Sequence, residues 1–210
     1  ALACATLPLR DEIDPHTFLP SSRSVAFTKA AWQAVGGYPE WLDYCEDLIF
    51  DLRLKAAAPN WAFAPAAVAR FRPRNTLRSF MRQYYFYARG DGKADLWRKR
   101  HAIRYATYFL ALPLVLGLLL SGRPAAQFVG AGLGVLGASA YLAQPWRRLP
   151  GVPEAAYERG AVRRSPATRI TATLWIPVIR AAGDVAKMAG YPVGWRWRLK
   201  HRPAEWRMGE

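Results

Sequence analysis

Two long apolar runs follow one another near the middle of the chain. Tyr105 to Leu120 is a 16-residue run without a charge, and Ala125 to Trp146 is a 22-residue run. A helix needs roughly 20 apolar residues to cross a membrane. His101 to Tyr105 can lengthen the first run, with Arg104 reaching back to the interface. Ser121 to Pro124 forms a tight link, so the pattern predicts an antiparallel hairpin of two spanning helices.

Cations flank this predicted hairpin at both ends. Those before it are Arg98, Lys99, Arg100 and Arg104, and those after it are Arg147 and Arg148. Cytoplasmic loops carry an excess of Lys and Arg, so both ends are expected in the cytoplasm. The prediction is a multi-pass protein of the inner (plasma) membrane, with its catalytic part cytoplasmic. Buried helices of a soluble protein are a weaker rival, because nothing nearby could bury so much apolar surface.

Small residues and charges mark further helix surfaces. Gly130, Gly134 and Ala138 recur every four residues, which allows close helix packing against the first helix or another protein. Ile170 to Ile179 is apolar but too short to span and is interrupted by Pro177. Arg180 and Asp184 follow it at a pairing distance of four. We therefore predict an interfacial or re-entrant amphipathic helix there, followed by a Trp/Arg-rich tail suited to anionic lipid. The alternative is a third spanning helix that extends through Met188 and buries those charges at a cost.

The residues before the hairpin show short strand-like runs. Ser21 to Phe27, Trp61 to Ala64 and Ala67 to Phe71 are apolar or β-favouring stretches bounded by Pro or polar residues. Between them Thr28 is expected to cap a short helix, Lys29 to Val35, which ends at a glycine. These runs predict alternating short strands and helices.

A second helix is predicted from its cap at Thr76 to about Arg89, with Gly90 as its stop. One face, expected to be buried, carries Leu77, Phe80, Tyr84 and Tyr87. The opposite face carries Arg78, Arg82, Tyr85 and Arg89. Stacked guanidinium groups suit a phosphate, because they bind its oxygens bidentately. A solvated basic face is the commoner explanation for such a stripe of arginines.

A third helix carries the candidate chemistry. Asp43 is expected as its N-cap and Glu46 as the matching acid of a capping box. Asp47 then lies one position further on, where an acid does nothing obvious for the fold. A helix N-terminus favours the ionised carboxylate, so Asp47 is expected to be ready to accept a proton. First-turn acids are also common for helix-dipole reasons alone.

Gly36-Gly37-Tyr38, then Glu46-Asp47-Leu48 and then Gln83 to Gly90 together resemble the acceptor-side half of a family 2 inverting glycosyltransferase. The resemblance covers about Leu19 to His101. It implies an α/β fold: the C-terminal part of a GT-A (Rossmann-like) domain, followed by the transmembrane hairpin and the interfacial helix. It also implies that Glu46 and Asp47 are the catalytic acids, with Asp47 as the general base that deprotonates the acceptor hydroxyl.

The resemblance further implies a set of substrate contacts. They are Arg23, Ser24, Gly36, Gly37, Tyr38, Trp41, Arg82, Gln83, Arg89, Gly90 and Lys93. Of these, Arg82, Arg89 and Lys93 would stabilise the leaving diphosphate. Phe86 departs from the family pattern, which has Arg or another polar residue there. Arg23 is equally well an ordinary surface charge.

The family's nucleotide-binding half and its Asp-x-Asp metal motif do not occur in the sequence, and the first residue is not Met. We therefore expect a fragment, inactive alone, whose divalent cation (Mg or Mn) is held by the missing half. The expected segments are 1–97, the acceptor-side catalytic part; 98–146, the basic juxtamembrane segment and hairpin; and 147–210. The last comprises a basic loop at Gly151 to Ala167, the amphipathic helix and the tail.

The chain carries 30 Lys and Arg against 15 Asp and Glu, a net charge of +15. Such an excess suits anionic lipid, phosphorylated substrates or nucleic acid. Nucleic acid ranks low, because spanning segments explain both the cations and the aromatics. Cys4 and Cys45 are too few for a disulfide framework, which favours a reducing compartment.

The predicted function is transfer of a hexose or deoxyhexose from a nucleotide-sugar to a lipid-linked or glycan acceptor in cell-envelope polysaccharide synthesis. Membrane lipids are the other expected partners. The alternative is a non-catalytic membrane protein that binds anionic lipid or protein partners through its basic face.

Overall fold

Helices are the only regular elements in the part of the chain that the computed structural model describes, residues 1–57, 61–67, 74–150 and 166–207. They are α1 (Leu2–Thr6), a 3₁₀ turn (Arg10–Glu12), α2 (Lys29–Ala34), α3 (Glu46–Ala57), α4 (Leu77–Ala94), α5 (Arg98–Ala106), a π-helical turn (Thr107–Ala111), α6 (Leu112–Leu120), α7 (Pro124–Arg147) and α8 (Pro166–His201). The predicted α/β class, the C-terminal part of a GT-A domain, is therefore wrong: the described residues form no strand.

The predicted strands fail because their backbone groups find no partner strand. At Ser21 to Phe27 the chain turns instead: the Ser24 N–H donates to the Ser21 carbonyl at 2.8 Å, and the Ser24 hydroxyl donates to the same oxygen at 3.2 Å. Such local bonds compete with a sheet for the same groups. Trp61 to Ala64 is irregular. Ala67 to Phe71 extends outside the described residues.

Two predicted helix caps are confirmed. The Thr28 hydroxyl accepts from the Ala31 N–H at 3.1 Å, and the Thr76 hydroxyl accepts from the Ser79 N–H at 3.2 Å. The end of α2 is also as predicted, since Gly36 follows with φ of +73°. A side-chain oxygen at the cap satisfies an N–H that has no partner within the helix, so these helix starts are set by local sequence.

The predicted stop of α4 at Gly90 is wrong, because the helix continues to Ala94 and ends at Asp95 in the left-handed region. The residues from Gly90 to Lys93, which lie beyond the predicted stop, are therefore helical. Gly90 serves packing instead: a Cβ there would lie 2.6 Å from the Tyr44 carbonyl oxygen. Of the predicted apolar face of α4, Phe80 is buried, whereas Leu77 and Tyr87 are exposed.

The chain forms two compact units, residues 1–9 with 98–184 and residues 10–97 with 185–210. In the first, α5, the π turn and α6 make one continuous helix, Arg98–Leu120. Pro113 has no N–H to donate within the helix, which accounts for the wider turn just before it. Gly122, with φ of +68°, turns the chain into α7.

The glycine stripe of α7 packs on α6. A Cβ at Gly130 would lie 2.9 Å from the Leu118 Cβ, and one at Gly134 would lie 3.5 Å from a Val115 methyl. The partner left open by the sequence is thus the first helix of the hairpin. Both hairpin helices are long and apolar enough to cross a membrane. Apolar side chains on the outer surface of these helices are exposed: Leu120 is 83% exposed and Phe128 is 81% exposed.

The prediction that Pro177 interrupts a short apolar segment is wrong, because α8 continues through Pro177 as one 36-residue helix. In the first unit its Ile176 is buried beside Cys4 and Leu142. In the second unit one core cluster contains Leu42, Ile49, Ala94, Leu96 and Trp206, and another contains Val35, Phe50 and Leu54.

Two glycines of α8 allow its backbone to touch α4 within the second unit. A Cβ at Gly190 would overlap the Tyr85 carbonyl oxygen, and one at Gly194 would overlap that of Arg89. The spacing of four puts both glycines on one helix face.

We expect Gly194→Ala to lower the free energy of unfolding by about 1–3 kcal/mol, because rigid backbone has to move. Thermal unfolding in detergent micelles measures the loss.

Gly137→Ala is the matched control for this change. Gly137 also lies inside a helix, but no atom is within 4 Å of its would-be Cβ. Alanine there is expected to raise stability by up to about 1 kcal/mol through helix propensity. Equal melting temperatures for Gly194→Ala and the parent would show that α4 and α8 separate without cost.

Candidate functional site

Asp47 lies in the first turn of α3 and is half-buried. Its Oδ1 accepts from the Leu48 N–H at 2.9 Å, and its Oδ2 accepts from the Ser22 N–H at 3.3 Å. No Lys or Arg of the described residues pairs with it. Asp47 is thus a positioned carboxylate with no cation competing for it.

Asp51, one turn further along α3, was missed by the sequence reasoning. It is 1% exposed, and its Oδ2 is buried without a hydrogen-bond donor among the described residues. Burial raises the pKa of Asp51 to about 7, and the charge of Asp47 adds to the rise. The available signal was an acid flanked by Phe50 and Leu52 on a face that carries buried residues.

Tyr38 faces the same acids. Its ring lies 4.6 Å from that of Phe50. Burial raises the pKa of Tyr38, and the carboxylates of Asp51, Asp47 and Glu46 raise it further. The structure therefore brings together one predicted substrate contact, both predicted catalytic acids and Asp51. This group of four residues is called the acid cluster below.

Asp43 has a different role from the one predicted. The capping box is wrong, because α3 begins at Glu46, three residues after Asp43. Asp43 instead accepts from Arg89 and, at 2.7 Å, from Lys93. Burial raises the pKa of Asp43, but the Lys93 hydrogen bond and the two cations outweigh it and lower the pKa overall.

Arg89 and Lys93 are therefore already paired, although the two cations outnumber the one carboxylate. The Arg89 guanidinium lies 4.7 Å from the Phe86 ring, and its Nε is buried without an acceptor. Lys93 Nζ lies 4.7 Å from the Trp197 ring, which also stacks on Trp41 at 6.1 Å. Phe86, which departs from the family pattern, therefore packs against the guanidinium of Arg89.

The segment between Asp43 and the acid cluster is held against α4. Cys45 takes a left-handed φ of +67°. Its thiol lies 3.4 Å from the Tyr87 carbonyl and 3.6 Å from the Asp91 carboxylate. Burial raises the pKa of Cys45, and nearby carboxylates add to this, so the thiol stays protonated. Gly90 makes room for the segment.

The remaining predicted contacts lie apart from this group or on the surface. Gly36 and Gly37 form the turn after α2, both with positive φ, and Gly37 packs on the Trp32 ring. Arg23 and Ser24 are exposed. Arg82 is exposed above the Phe86 ring at 5.6 Å, and Gln83 donates to the Tyr87 hydroxyl at 2.5 Å.

Among the described residues, no three His, Cys, Asp or Glu side chains come together in a way that could hold a metal ion. These residues therefore do not fit the Mg²⁺ or Mn²⁺ that the resemblance implies. Comparison of the chain with protein-family models, curated proteins and solved structures gives no match. The resemblance to family 2 glycosyltransferases rests on the quoted motifs and stays a prediction.

Proposed function

We propose that the protein is a membrane-bound glycosyltransferase that acts on an acceptor hydroxyl, with Asp47 as the general base. Asp47 takes the proton from the hydroxyl as its oxygen attacks the anomeric carbon of a nucleotide-sugar. The bond to the leaving nucleoside diphosphate breaks at the same time, so the configuration inverts. The observation that carries this assignment is the Asp47 carboxylate, held by backbone N–H groups and unpaired with any described cation.

The cations of α4 support the leaving-group side of the reaction. Arg82, Arg89 and Lys93 are separated by seven and four residues, which places them on one helix face. Arg82 is exposed and has no carboxylate partner among the described residues, whereas Arg89 and Lys93 share the single carboxylate of Asp43. Positive groups fixed where negative charge develops stabilise the transition state. Asp43 holds two of them in place.

The two apolar helices support a location in the membrane. We propose that Arg98–Leu120 and Pro124–Arg147 span the inner membrane with both ends cytoplasmic, since cations flank both ends. A lipid-linked acceptor is confined to that surface. Extraction of membranes with alkaline carbonate is expected to leave the protein in the pellet, which tests this part separately from catalysis.

The activity is tested with the full-length protein in isolated membranes and a panel of labelled nucleotide-sugars. We expect label to enter the lipid-extractable or glycan fraction from one donor class, in the anomeric configuration opposite to that of the donor. Membranes from cells without the protein provide the control. Retention of the donor configuration, or no transfer from any donor, would refute the assignment.

A second candidate is a non-catalytic membrane protein that binds anionic lipid or protein partners. One observation favours it. At the end of α8, Trp195, Arg196, Leu199 and Lys200 are all exposed at spacings that share a helix side. An exposed surface of Trp, Leu and cations suits a lipid headgroup layer. In this case transfer would be absent while binding to anionic vesicles remained.

A further inference from the structure

A cluster of polar side chains lies inside the first unit, beside the two apolar helices. Asp184 of α8 is its centre. Its Oδ1 accepts from Arg104 Nε at 2.6 Å, and its Oδ2 accepts from the hydroxyls of Tyr141 at 2.6 Å and Tyr108 at 3.3 Å. The Arg104 and Asp184 side chains are only 16% and 15% exposed. This carboxylate is therefore fully occupied by one cation and two phenols.

Arg180, one turn before Asp184, is the residue that this arrangement leaves without an anion. The sequence predicts a pair between the two at a spacing of four, but Asp184 binds Arg104 instead. The Arg180 guanidinium lies 4.3 Å from the Tyr141 ring. Its Nε is buried and has no acceptor among the described residues. A partly buried guanidinium without a carboxylate partner is costly, so Arg180 points to a missing anion.

The position of Tyr141 along α7 indicates what that acceptor is. Tyr141 lies six residues before Arg147, the last residue of the helix, which is about 9 Å along its axis. In a spanning helix this depth corresponds to the boundary between hydrocarbon and headgroups, where tyrosine is enriched. An arginine beside it meets lipid phosphates, whose oxygens match a guanidinium. The local charge complements an anion, since Arg104 and Asp184 cancel and Arg180 remains.

We propose that Arg180, backed by the Tyr141 ring, binds the phosphate of an anionic phospholipid headgroup at the cytoplasmic membrane surface. This binding rests on the proposed insertion of the hairpin in the membrane, but it does not depend on sugar transfer. The Arg180 side chain is partly exposed, so a lipid phosphate can reach its guanidinium and supply the anion that it lacks among the described residues. The site thereby fixes α8 against the headgroup layer.

Native mass spectrometry of the full chain tests this site. The protein is released from mixed micelles that contain phosphatidylglycerol and phosphatidylcholine in equal amounts, and the retained lipid is identified. We expect the parent to retain phosphatidylglycerol selectively and Arg180→Gln to lower that retention at least about 10-fold, because a charge-assisted hydrogen bond is lost. Arg180→Lys keeps the charge without the planar donors, so an intermediate loss is expected.

Arg123→Gln is the matched control, because it removes the same charge from the exposed link at the opposite end of the hairpin. It is expected to retain lipid like the parent. Equal loss in Arg123→Gln and Arg180→Gln, or none in Arg180→Gln, would overturn the site. Displacement of phosphatidylglycerol by millimolar inorganic phosphate would overturn the lipid as the source. Loss of the protein from carbonate-washed membranes would refute membrane insertion itself, independently of lipid selectivity.

Discussion

Asp47→Asn in the full-length protein is expected to lower the rate of sugar transfer by about 10²–10⁴-fold, the usual contribution of a general base. Asparagine keeps the size of the side chain, and its single carbonyl oxygen can still accept from one of the two N–H groups, of Ser22 or Leu48, that hold Asp47 now. It cannot take a proton from the acceptor hydroxyl. Donor binding is expected to stay at the parent level. The check is kcat for transfer beside the Kd of the nucleotide-sugar.

Glu46→Gln is the control for this substitution. It removes a neighbouring first-turn acid from the same helix, with a similar loss of favourable helix-dipole energy of about 0.3–1 kcal/mol. Its effect on transfer is expected to be much smaller than that of Asp47→Asn. Similar losses for the two variants would mean that the acids only stabilise α3. Parent-like turnover of Asp47→Asn would exclude Asp47 as the base.

Features set by neighbouring residues could be predicted from the sequence. Thr28 and Thr76 cap their helices because a hydroxyl needs only the N–H three residues later. The link at Ser121 to Pro124 separates α6 from α7 because Gly122 supplies a left-handed turn and Pro124 begins a helix without needing an N–H. The two long apolar runs are also continuous stretches of sequence, and both form helices.

Features that depend on distant residues could not be predicted. A β-favouring run such as Ser21 to Phe27 becomes a strand only when another strand pairs with it, and none does among the described residues. The spacing of Asp43 suggested a cap, but its carboxylate binds Arg89 and Lys93, which are more than forty residues away in the sequence. Gly90 predicted a helix end, but in the structure it allows the Tyr44 backbone to pack closely against α4.

Asp51 is expected to make the stability of the protein depend on pH between about 4 and about 7. Its pKa rises from an ordinary 3.8 to about 7, because burial disfavours the charged form and Asp47 repels it. The folded state therefore holds the proton more tightly than the unfolded chain. By linkage, the free energy of unfolding falls as the pH rises from about 4 to about 7 and stays lower above that. The full loss corresponds to about 4 kcal/mol.

Asp51→Asn is expected to remove this loss. Asparagine resembles the protonated acid and stays neutral, so the variant should be more stable than the parent at pH 8 by up to about 4 kcal/mol. That corresponds to a melting temperature about 10 °C higher for a chain of this size. Near pH 4 the parent is itself protonated at Asp51, and the two melting temperatures should agree. Thermal unfolding in detergent micelles at both pH values measures the difference.

Two controls separate charge from packing at Asp51. Asp11→Asn removes a carboxylate from an exposed position, so its effect on the melting temperature is expected to be small at both pH values. Asp47→Asn removes the charge that repels Asp51 while keeping Asp51 itself, so the pKa of Asp51 should fall. The stability loss should then be smaller and should be complete at a lower pH. A gain in Asp51→Asn that is equal at pH 4 and pH 8 would assign the effect to packing, because it would mean that folding leaves the pKa of Asp51 near its ordinary value.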